Sequence, residues 1–297
     1  MAEASIPVDL LNPGQVFACL GFLEAADTLL GNAKGGFDWS DEANIRFRVS
    51  SDGNSSPVEV VLSFLAEADV HALAPHGTDL SAEKWNVSTR RLAAESPFPY
   101  PAPVSPATLP AVFQTADGRS MTIDHWGDSR SSTSRDNVKF WAGAGGYPGA
   151  ALARDGMNLV RDRIYLAADD PLNCWAEQSS SFRLDWRRDY IPLDIGFSIN
   201  SHGSTRFTTI GYPLVEILAA IGLTNARPEF ITKLSYRYGV PGVTSDSDLF
   251  DPSFLRASLG APDLPFPQRT FRMNLGWPGK EGQARCITTV YEENANG

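Results

Sequence analysis

Cysteine, histidine and lysine are all scarce in this sequence. Its 297 residues include three cysteines and four histidines, and lysine occurs five times against twenty arginines. The cysteines, Cys19, Cys174 and Cys286, are odd in number and far apart, which excludes a disulfide framework and a paired metal-ligand motif. Such cysteine usage predicts a protein of the reducing cytoplasm.

Long hydrophobic runs and targeting signals are also missing. No stretch approaches the roughly 18 consecutive apolar residues of a membrane span. The first residues, Met1–Ser5, are acidic where a secretory signal would be basic. We therefore expect neither secretion nor a membrane partner, and the glycosylation-like triplets that begin at Asn54 and Asn86 are then chance matches.

The common enzyme signatures are absent. The sequence contains no Walker loop, no His-Glu-x-x-His, no Gly-x-Ser-x-Gly and no Cys-x-x-Cys. Nucleotide hydrolysis, zinc proteolysis and esterase chemistry therefore have no local support. The sequence predicts no cofactor and no metal.

Net charge argues against a stand-alone nucleic-acid binder. The chain carries a formal charge of −10 with a pI near 4.9, whereas non-specific binding depends on neutralising phosphates with cations. Most of the excess acid lies in residues 1–118, while residues 129–163 are locally basic. A local nucleic-acid contact within a larger assembly remains compatible with this distribution.

Hydrophobic periodicity predicts a mixture of helices and strands. Helices are predicted for residues 15–30, 150–166 and 213–223. Strands are predicted for residues 45–49, 58–64, 121–123, 182–186, 230–238, 271–275 and 286–291. The first two strands are expected to form one hairpin and the last two another. Residues 246–267 are expected to be loop.

The six prolines between residues 96 and 110 predict a crossing without helix or central strand. We therefore expect an N-terminal lobe at 1–95, a proline-rich crossing at 96–120 and a C-terminal lobe at 121–297. Ile6–Leu10 is echoed by Ile191–Ile195, and each copy is followed by an apolar helix and an alternating strand. The predicted fold is α+β, with two antiparallel-sheet lobes and packed helices, and duplicated ferredoxin-like units are the more specific hypothesis.

The strongest candidate for chemistry is a basic, glycine-rich loop that leads into the predicted helix at 150–166. Glycines let backbone amides approach a phosphate, and Lys, Arg and aromatic rings add charge and stacking. The candidate nucleic-acid-binding residues are Arg130, Arg135, Lys139, Trp141, Gly143, Gly145, Gly146 and Arg154. The alternative is a turn that lets a helix pack closely on a sheet, with Trp141 in the core. Trp175, Trp186 and the pair Arg187-Arg188 are weaker candidates, with the tryptophan rings expected in the core and the arginine pair at a solvated edge.

Two histidines are candidates for a general base. His125 lies between Asp124 and Asp128, and His202 lies in a polar glycine turn. An Asp-His-Asp cluster can orient an imidazole or bind a metal. A structural histidine that is hydrogen-bonded to a neighbour is the favoured interpretation of both.

Three blocks of sequence resemble a known family. They are Asn12–Ala26 (NPGQVFACLGFLEAA), Lys139–Gly143 (KFWAG) and Tyr212–Leu223 (YPLVEILAAIGL). Together they resemble the small large-subunit family of type I-U, or I-G, CRISPR systems. The resemblance implies a non-enzymatic Cascade subunit whose partners are crRNA, target DNA, sister subunits and the helicase-nuclease. In such complexes, guide pairing reads the sequence, while protein reads the flanking motif and the backbone.

Two other functions stay open. One is a metal-independent endoribonuclease of the same RNA-binding superfamily that cuts the CRISPR repeat. It would use His125 or His202 as base, with Arg or Lys stabilising the phosphorane. The other is a small-molecule enzyme in which the glycine loop binds a phosphate.

Overall fold

The computed structural model describes residues 1–126, 147–177, 181–187, 210–243, 249–261, 263–264, 267–276 and 285–293. The helices in these ranges are α1 (Pro13–Leu30), α2 (Pro57–Glu67), α3 (Gly149–Val160), α4 (Pro213–Asn225) and α5 (Pro252–Gly260). The strands are β1 (Ala2–Pro7), β2 (Lys34–Asp38), β3 (Arg46–Ser51), β4 (Asp69–Ala74), β5 (Thr89–Arg91), β6 (Ala111–Gln114), β7 (Ser120–Ile123), β8 (Ala176–Glu177), β9 (Ile210–Gly211), β10 (Glu229–Thr232), β11 (Ser235–Pro241), β12 (Gln268–Gly276) and β13 (Cys286–Glu293).

These strands form four sheets, with the orders β1-β3-β2, β5-β4-β6-β7, β8-β9 and β10-β11-β12-β13. Neighbouring strands are antiparallel except β4 and β5, which are parallel. The predicted α+β class with antiparallel-sheet lobes is therefore confirmed. Within the described ranges, no helix is both long and apolar enough to cross a bilayer.

The N-terminal elements follow the order β1-α1-β2-β3-α2-β4. In their sheet, β3 lies between β1 and β2 and runs antiparallel to both. This is the split βαβ arrangement of a ferredoxin-like unit. The unit departs from that pattern at β4, which pairs with β5 and β6 instead of completing the sheet beside β1.

Helices α1 and α4 cross closely through two glycines. A Cβ atom added to Gly21 would lie 1.9 Å from the carbonyl oxygen of Leu218, and one added to Gly222 would lie 2.3 Å from that of Phe17. Only glycine permits backbones to approach so closely. Both helices are buried over most of their length and are mostly apolar, as central helices are.

The second half of the chain repeats part of the first. A hairpin and a second helix follow α4, namely β10-β11 and then α5, as β2-β3 and α2 follow α1. Residues 191–195, which carry the second copy of the sequence repeat, lie outside the described residues. The two halves therefore share the order helix, hairpin, helix, and duplicated ferredoxin-like units stay a prediction. The edge of β11 that does not face β10 pairs with β12.

The prediction of a strand at 58–64 is wrong, because these residues belong to α2. Pro57 occupies the first turn, and the Ser56 hydroxyl accepts a hydrogen bond from the Glu59 amide at 3.4 Å. Buried residues Val58, Val61, Leu62 and Leu65 recur at helical spacing. The β-branched composition concealed that period, and β3 forms its hairpin with β2 instead.

Other local predictions also need correction. Residues 246–267, expected as loop, contain α5, and 230–238, expected as one strand, form β10 and most of β11. The helix predicted for 150–166 is α-helical to Val160 and continues as the 3-10 helix Arg161–Ala167. Residues 182–186 form no strand, since Arg183 adopts a φ of +61°. The helix at 213–223 and the hairpin of β12 and β13 are confirmed.

The proline-rich segment contains only the short 3-10 turn Pro106–Thr108 before β6 begins at Ala111. The division into lobes at 95 and 121 stays a prediction. Buried side chains on both sides of the crossing belong to one hydrophobic cluster, which includes Phe17 from α1, Ile123 from β7 and Leu218 from α4. The described elements therefore share a continuous core.

Candidate nucleic-acid interface

Most of the predicted phosphate-binding loop lies outside the described residues. This applies to Arg130, Arg135, Lys139, Trp141, Gly143, Gly145 and Gly146, and also to His202. Arg154 and His125 are the predicted site residues that the structure places.

Arg154 holds α3 against the turn between β4 and β5. Its Nη1 donates to the carbonyl oxygens of Trp85 and Asn86, both at 2.6 Å. Its Nε and Nη2 donate to Oδ1 of Asp155 at 2.9 and 2.5 Å. The Arg154 guanidinium thus has three intramolecular acceptors, of which the Asp155 carboxylate balances its charge. This geometry favours a structural role over a phosphate contact.

Asp155 extends this network to Tyr147, which directly follows the predicted loop in sequence. The Tyr147 hydroxyl donates to Oδ2 of Asp155 at 2.5 Å. Burial, followed by this hydrogen bond, raises the pKa of Tyr147 to about 12. The start of α3 is therefore tied to its own second turn.

His125 lies in an aromatic cluster and is 1% exposed. Its ring packs edge-on against Trp126 at 4.8 Å and Phe182 at 5.9 Å between centroids. Trp126 and Phe182 stack at 5.3 Å, and the Trp126 indole donates to the carbonyl of Leu109 at 3.0 Å. A general base must contact its substrate, so this burial supports the structural interpretation of His125.

One glycine of the predicted loop region has a packing role. A Cβ atom on Gly149, the first residue of α3, would lie 2.3 Å from the Trp126 ring. Gly149 therefore lets the helix start against the indole. The alternative interpretation of the loop itself, with Trp141 in the core, concerns residues outside the described ranges and stays a prediction.

A buried polar cluster joins the N-termini of α1 and α4. Glu216, in the first turn of α4, accepts hydrogen bonds from the backbone amides of Leu184 and Asp185 at 3.0 and 3.1 Å. Asp185 accepts from the Asn12 side chain, which caps α1, at 2.9 Å. Both carboxylates are 2% exposed. The cluster anchors residues 181–187 between the two central helices.

Arg187 completes this cluster and leads to the surface. Its Nη2 donates to Oδ2 of Asp185 at 2.6 Å and to the carbonyl of Leu172 at 2.7 Å. The guanidinium also lies 3.5 Å from the centroid of the Tyr212 ring. Arg187 is thus paired with a buried carboxylate below and an aromatic ring beside it. Sequence reasoning placed Arg187 at a solvated edge and missed the carboxylate, because Asp185 has no distinguishing local pattern.

The small sheet of β8 and β9 carries an exposed aromatic surface that was expected to be core. Ala176 and Gly211 are paired and buried, while Glu177 and Ile210, also paired, are exposed. Trp175 directly precedes β8, and Tyr212 directly follows β9. We name these residues, together with two neighbouring arginines, the β8–β9 surface: Trp175, Glu177, Ile210, Tyr212, Arg163 and Arg187.

The other described arginines that flank carboxylates are used within the protein. Arg237 contacts Glu229, Asp263 and Glu293, and the hydrogen bond that Arg237 donates to Glu229 is the main reason that its pKa is raised. Arg256 pairs with Glu24 across α1 and α5 at 2.5 Å. In this part of the chain, these arginines therefore form ion pairs with carboxylates of the same protein.

The described residues contain no group of three or more His, Cys, Asp or Glu side chains placed to hold a metal ion. Burial raises the pKa of the Cys19 thiol well above its ordinary value. Burial also raises the pKa of the half-buried Cys174 thiol, to a smaller degree. These thiols are thus protonated at neutral pH.

No family model, no curated protein and no solved structure matches the chain.

Proposed function

We propose that this protein is a non-catalytic subunit of a type I crRNA-guided surveillance complex in the cytoplasm. In this proposal it contacts crRNA and target DNA locally, binds sister Cascade subunits and helps recruit the helicase-nuclease. Guide pairing supplies the sequence specificity, and the protein contributes contacts to the backbone and the flanking motif.

The observation that carries the proposal is the position of the blocks that resemble the family. The first block forms all but the last four residues of α1, the third forms most of α4, and these helices cross at Gly21 and Gly222. Two of the three blocks that carry the resemblance therefore lie at the centre of the fold, and Lys139–Gly143 lies outside the described residues. The split βαβ order around α1 agrees with an RNA-binding superfamily of ferredoxin-like units.

Because one fold can serve many functions, the proposal needs a test on the intact protein. We expect the tagged chain, co-expressed with a CRISPR locus of this subtype, to co-purify with guide RNA and sister subunits. The same locus without the tag on this chain is the control for non-specific capture. Recovery of the chain without RNA or sister subunits would contradict the proposal.

A second measurement separates the subunit from the ribonuclease. Purified protein is incubated with labelled repeat RNA in the presence of EDTA, and the products are resolved on a gel. We expect no cleavage. Cleavage that is lost in His202→Ala but kept in His76→Ala would establish the endoribonuclease instead.

A further inference from the structure

The β8–β9 surface pairs each of two aromatic rings with an arginine. The Arg163 guanidinium carbon lies 5.5 Å from the Trp175 ring centroid, and its Nη2 donates to the Trp175 carbonyl. Arg187 lies 3.5 Å from the Tyr212 centroid. Cation–aromatic contacts of this kind fix the orientation of both groups. Two oriented rings therefore flank the paired residues Ala176 and Gly211 of one small sheet.

These rings remain accessible to a ligand. Trp175 is 51% exposed and Ile210 is 43% exposed, although Arg163 lies over the indole. Tyr212 is half-buried beside them. A tryptophan with no core role leaves a large apolar area in water, and such exposed groups commonly mark a binding surface. Its fixed ring supplies a face on which another planar group can stack.

Arg163 is the cation of this surface that could contact an anion. It has no carboxylate partner among the described ion pairs. Its guanidinium lies beside Trp175, with Nη2 hydrogen-bonded to the Trp175 carbonyl. An aromatic ring with an adjacent arginine is the pairing that proteins use to stack bases of single-stranded nucleic acid and contact their phosphates. Glu177, exposed on the same face, is the one unfavourable charge of the surface.

We propose that the β8–β9 surface binds unpaired nucleotides of single-stranded RNA or DNA by stacking bases on Trp175 and Tyr212, with Arg163 contacting a phosphate. This proposal rests on the function proposed above and adds the ligand class and its site. It also explains how an acidic protein can bind nucleic acid, because stacking requires no excess of cations. Binding therefore depends weakly on salt.

The test measures the affinity of the purified full chain for a labelled 12-nucleotide RNA by fluorescence anisotropy. We expect Trp175→Ala to weaken binding roughly 5- to 150-fold, as loss of a stacked base does. Trp175→Phe retains a ring and should restore most of the affinity. Tyr291→Ala is the matched control, since Tyr291 is 47% exposed on β13, beside an arginine, but on a different sheet.

Two further variants distinguish nucleic acid from a protein ligand. Arg163→Gln should flatten the slope of log affinity against log salt by about 0.7, the value for one phosphate on a single strand. Glu177→Gln should strengthen RNA binding by removing a negative charge from the surface. If Glu177→Gln instead weakens capture of the chain by sister subunits and leaves RNA binding unchanged, the surface is a protein interface and the proposal is wrong.

Ligand controls complete the test. The wild-type chain should bind the 12-mer more tightly than a duplex of the same length or an abasic strand, since neither offers free base faces. Equal affinity for all three would overturn stacking. If Trp175→Ala leaves RNA binding unchanged while the chain still co-purifies with guide RNA and sister subunits, the stacking site fails and the proposed function stands.

Discussion

At the scale of single residues, Glu216 shows how a buried carboxylate positions a segment. Its oxygens accept from the Leu184 and Asp185 amides while it lies in the first turn of α4, where the helix dipole also favours negative charge. We expect Glu216→Gln to lower the free energy of unfolding by about 1–3 kcal/mol, because a buried amide loses its charged acceptor. Urea unfolding followed by tryptophan fluorescence measures this change.

The control for Glu216 is Glu59→Gln. Glu59 also lies in the first turn of a helix, α2, but it is exposed. Its loss should cost about 0.3–1 kcal/mol, the contribution of the dipole alone. Equal losses in the two variants would show that the backbone hydrogen bonds to Glu216 contribute nothing.

Arg154 allows the structural and the binding interpretation to be separated. We expect Arg154→Met to lower the free energy of unfolding by about 2 kcal/mol, because the carbonyl oxygens of Trp85 and Asn86 lose a charged donor. RNA affinity of the folded variant should be unchanged. Arg90→Met, at an exposed arginine of β5, is the control for loss of a positive charge. A stable Arg154→Met variant with weakened RNA binding would instead support the phosphate contact.

At the scale of elements, the α1–α4 crossing depends on Gly21. Gly21→Ala would add a Cβ atom 1.9 Å from a backbone carbonyl oxygen, and a backbone atom cannot move away as a flexible side chain can. The overpacking should cost about 1–3 kcal/mol or more, against at most about 1 kcal/mol gained from alanine's helix propensity. We therefore expect a net loss of stability in urea unfolding.

Gly53→Ala is the comparison for that variant. Gly53 has a φ of +96° and open space around its Cα, so alanine there meets backbone strain of about 1–2 kcal/mol without a clash. The two substitutions should also differ in near-ultraviolet circular dichroism, since only Gly21→Ala shifts the packing around the central helices. A stabilised Gly21→Ala variant would contradict the close crossing.

Elements with one dominant signal were predictable from the sequence. Helices α1 and α4 and the β12–β13 hairpin have clear periodicity and turn residues, and all three predictions are confirmed. Helix α2 was missed because Val58, Val60 and Val61 suggest a strand, and burial against the core outweighed that propensity. In place of the strand expected at 182–186, Arg183 has a positive φ and the Leu184 and Asp185 amides donate to Glu216, which is distant in sequence. No local pattern can reveal such a partner.

In the candidate nucleic-acid interface, too, local signals were predictable from the sequence and long-range contacts were not. Trp175 was predicted to be core because tryptophan usually is, and its exposure depends on the pairing of β8 with β9 across 32 intervening residues. Arg154 was predicted from local charge, yet its acceptors are backbone carbonyls nearly 70 residues earlier in the chain. Local sequence thus identified the residue types of the interface, while long-range contacts decided which of them face solvent.

At the scale of the whole molecule, the continuous core determines how the chain unfolds. Helix α1 contacts α2, α4 and α5, so elements from both sides of the proline-rich crossing are buried on one another. Removing one part would expose large apolar faces of α1 and α4. We therefore expect a single cooperative transition in urea, with coincident midpoints by far-ultraviolet circular dichroism and tryptophan fluorescence.

Expression of residues 1–120 alone is the matching experiment. This fragment should lack the sharp near-ultraviolet signal of fixed aromatic packing. In the fragment, Phe17 loses its edge contact with Tyr238 at 5.8 Å, and the Leu10 carbonyl loses the hydrogen bond that the Tyr238 hydroxyl donates to it. Two separate transitions, or a fragment 1–120 that unfolds cooperatively, would instead establish two independent lobes.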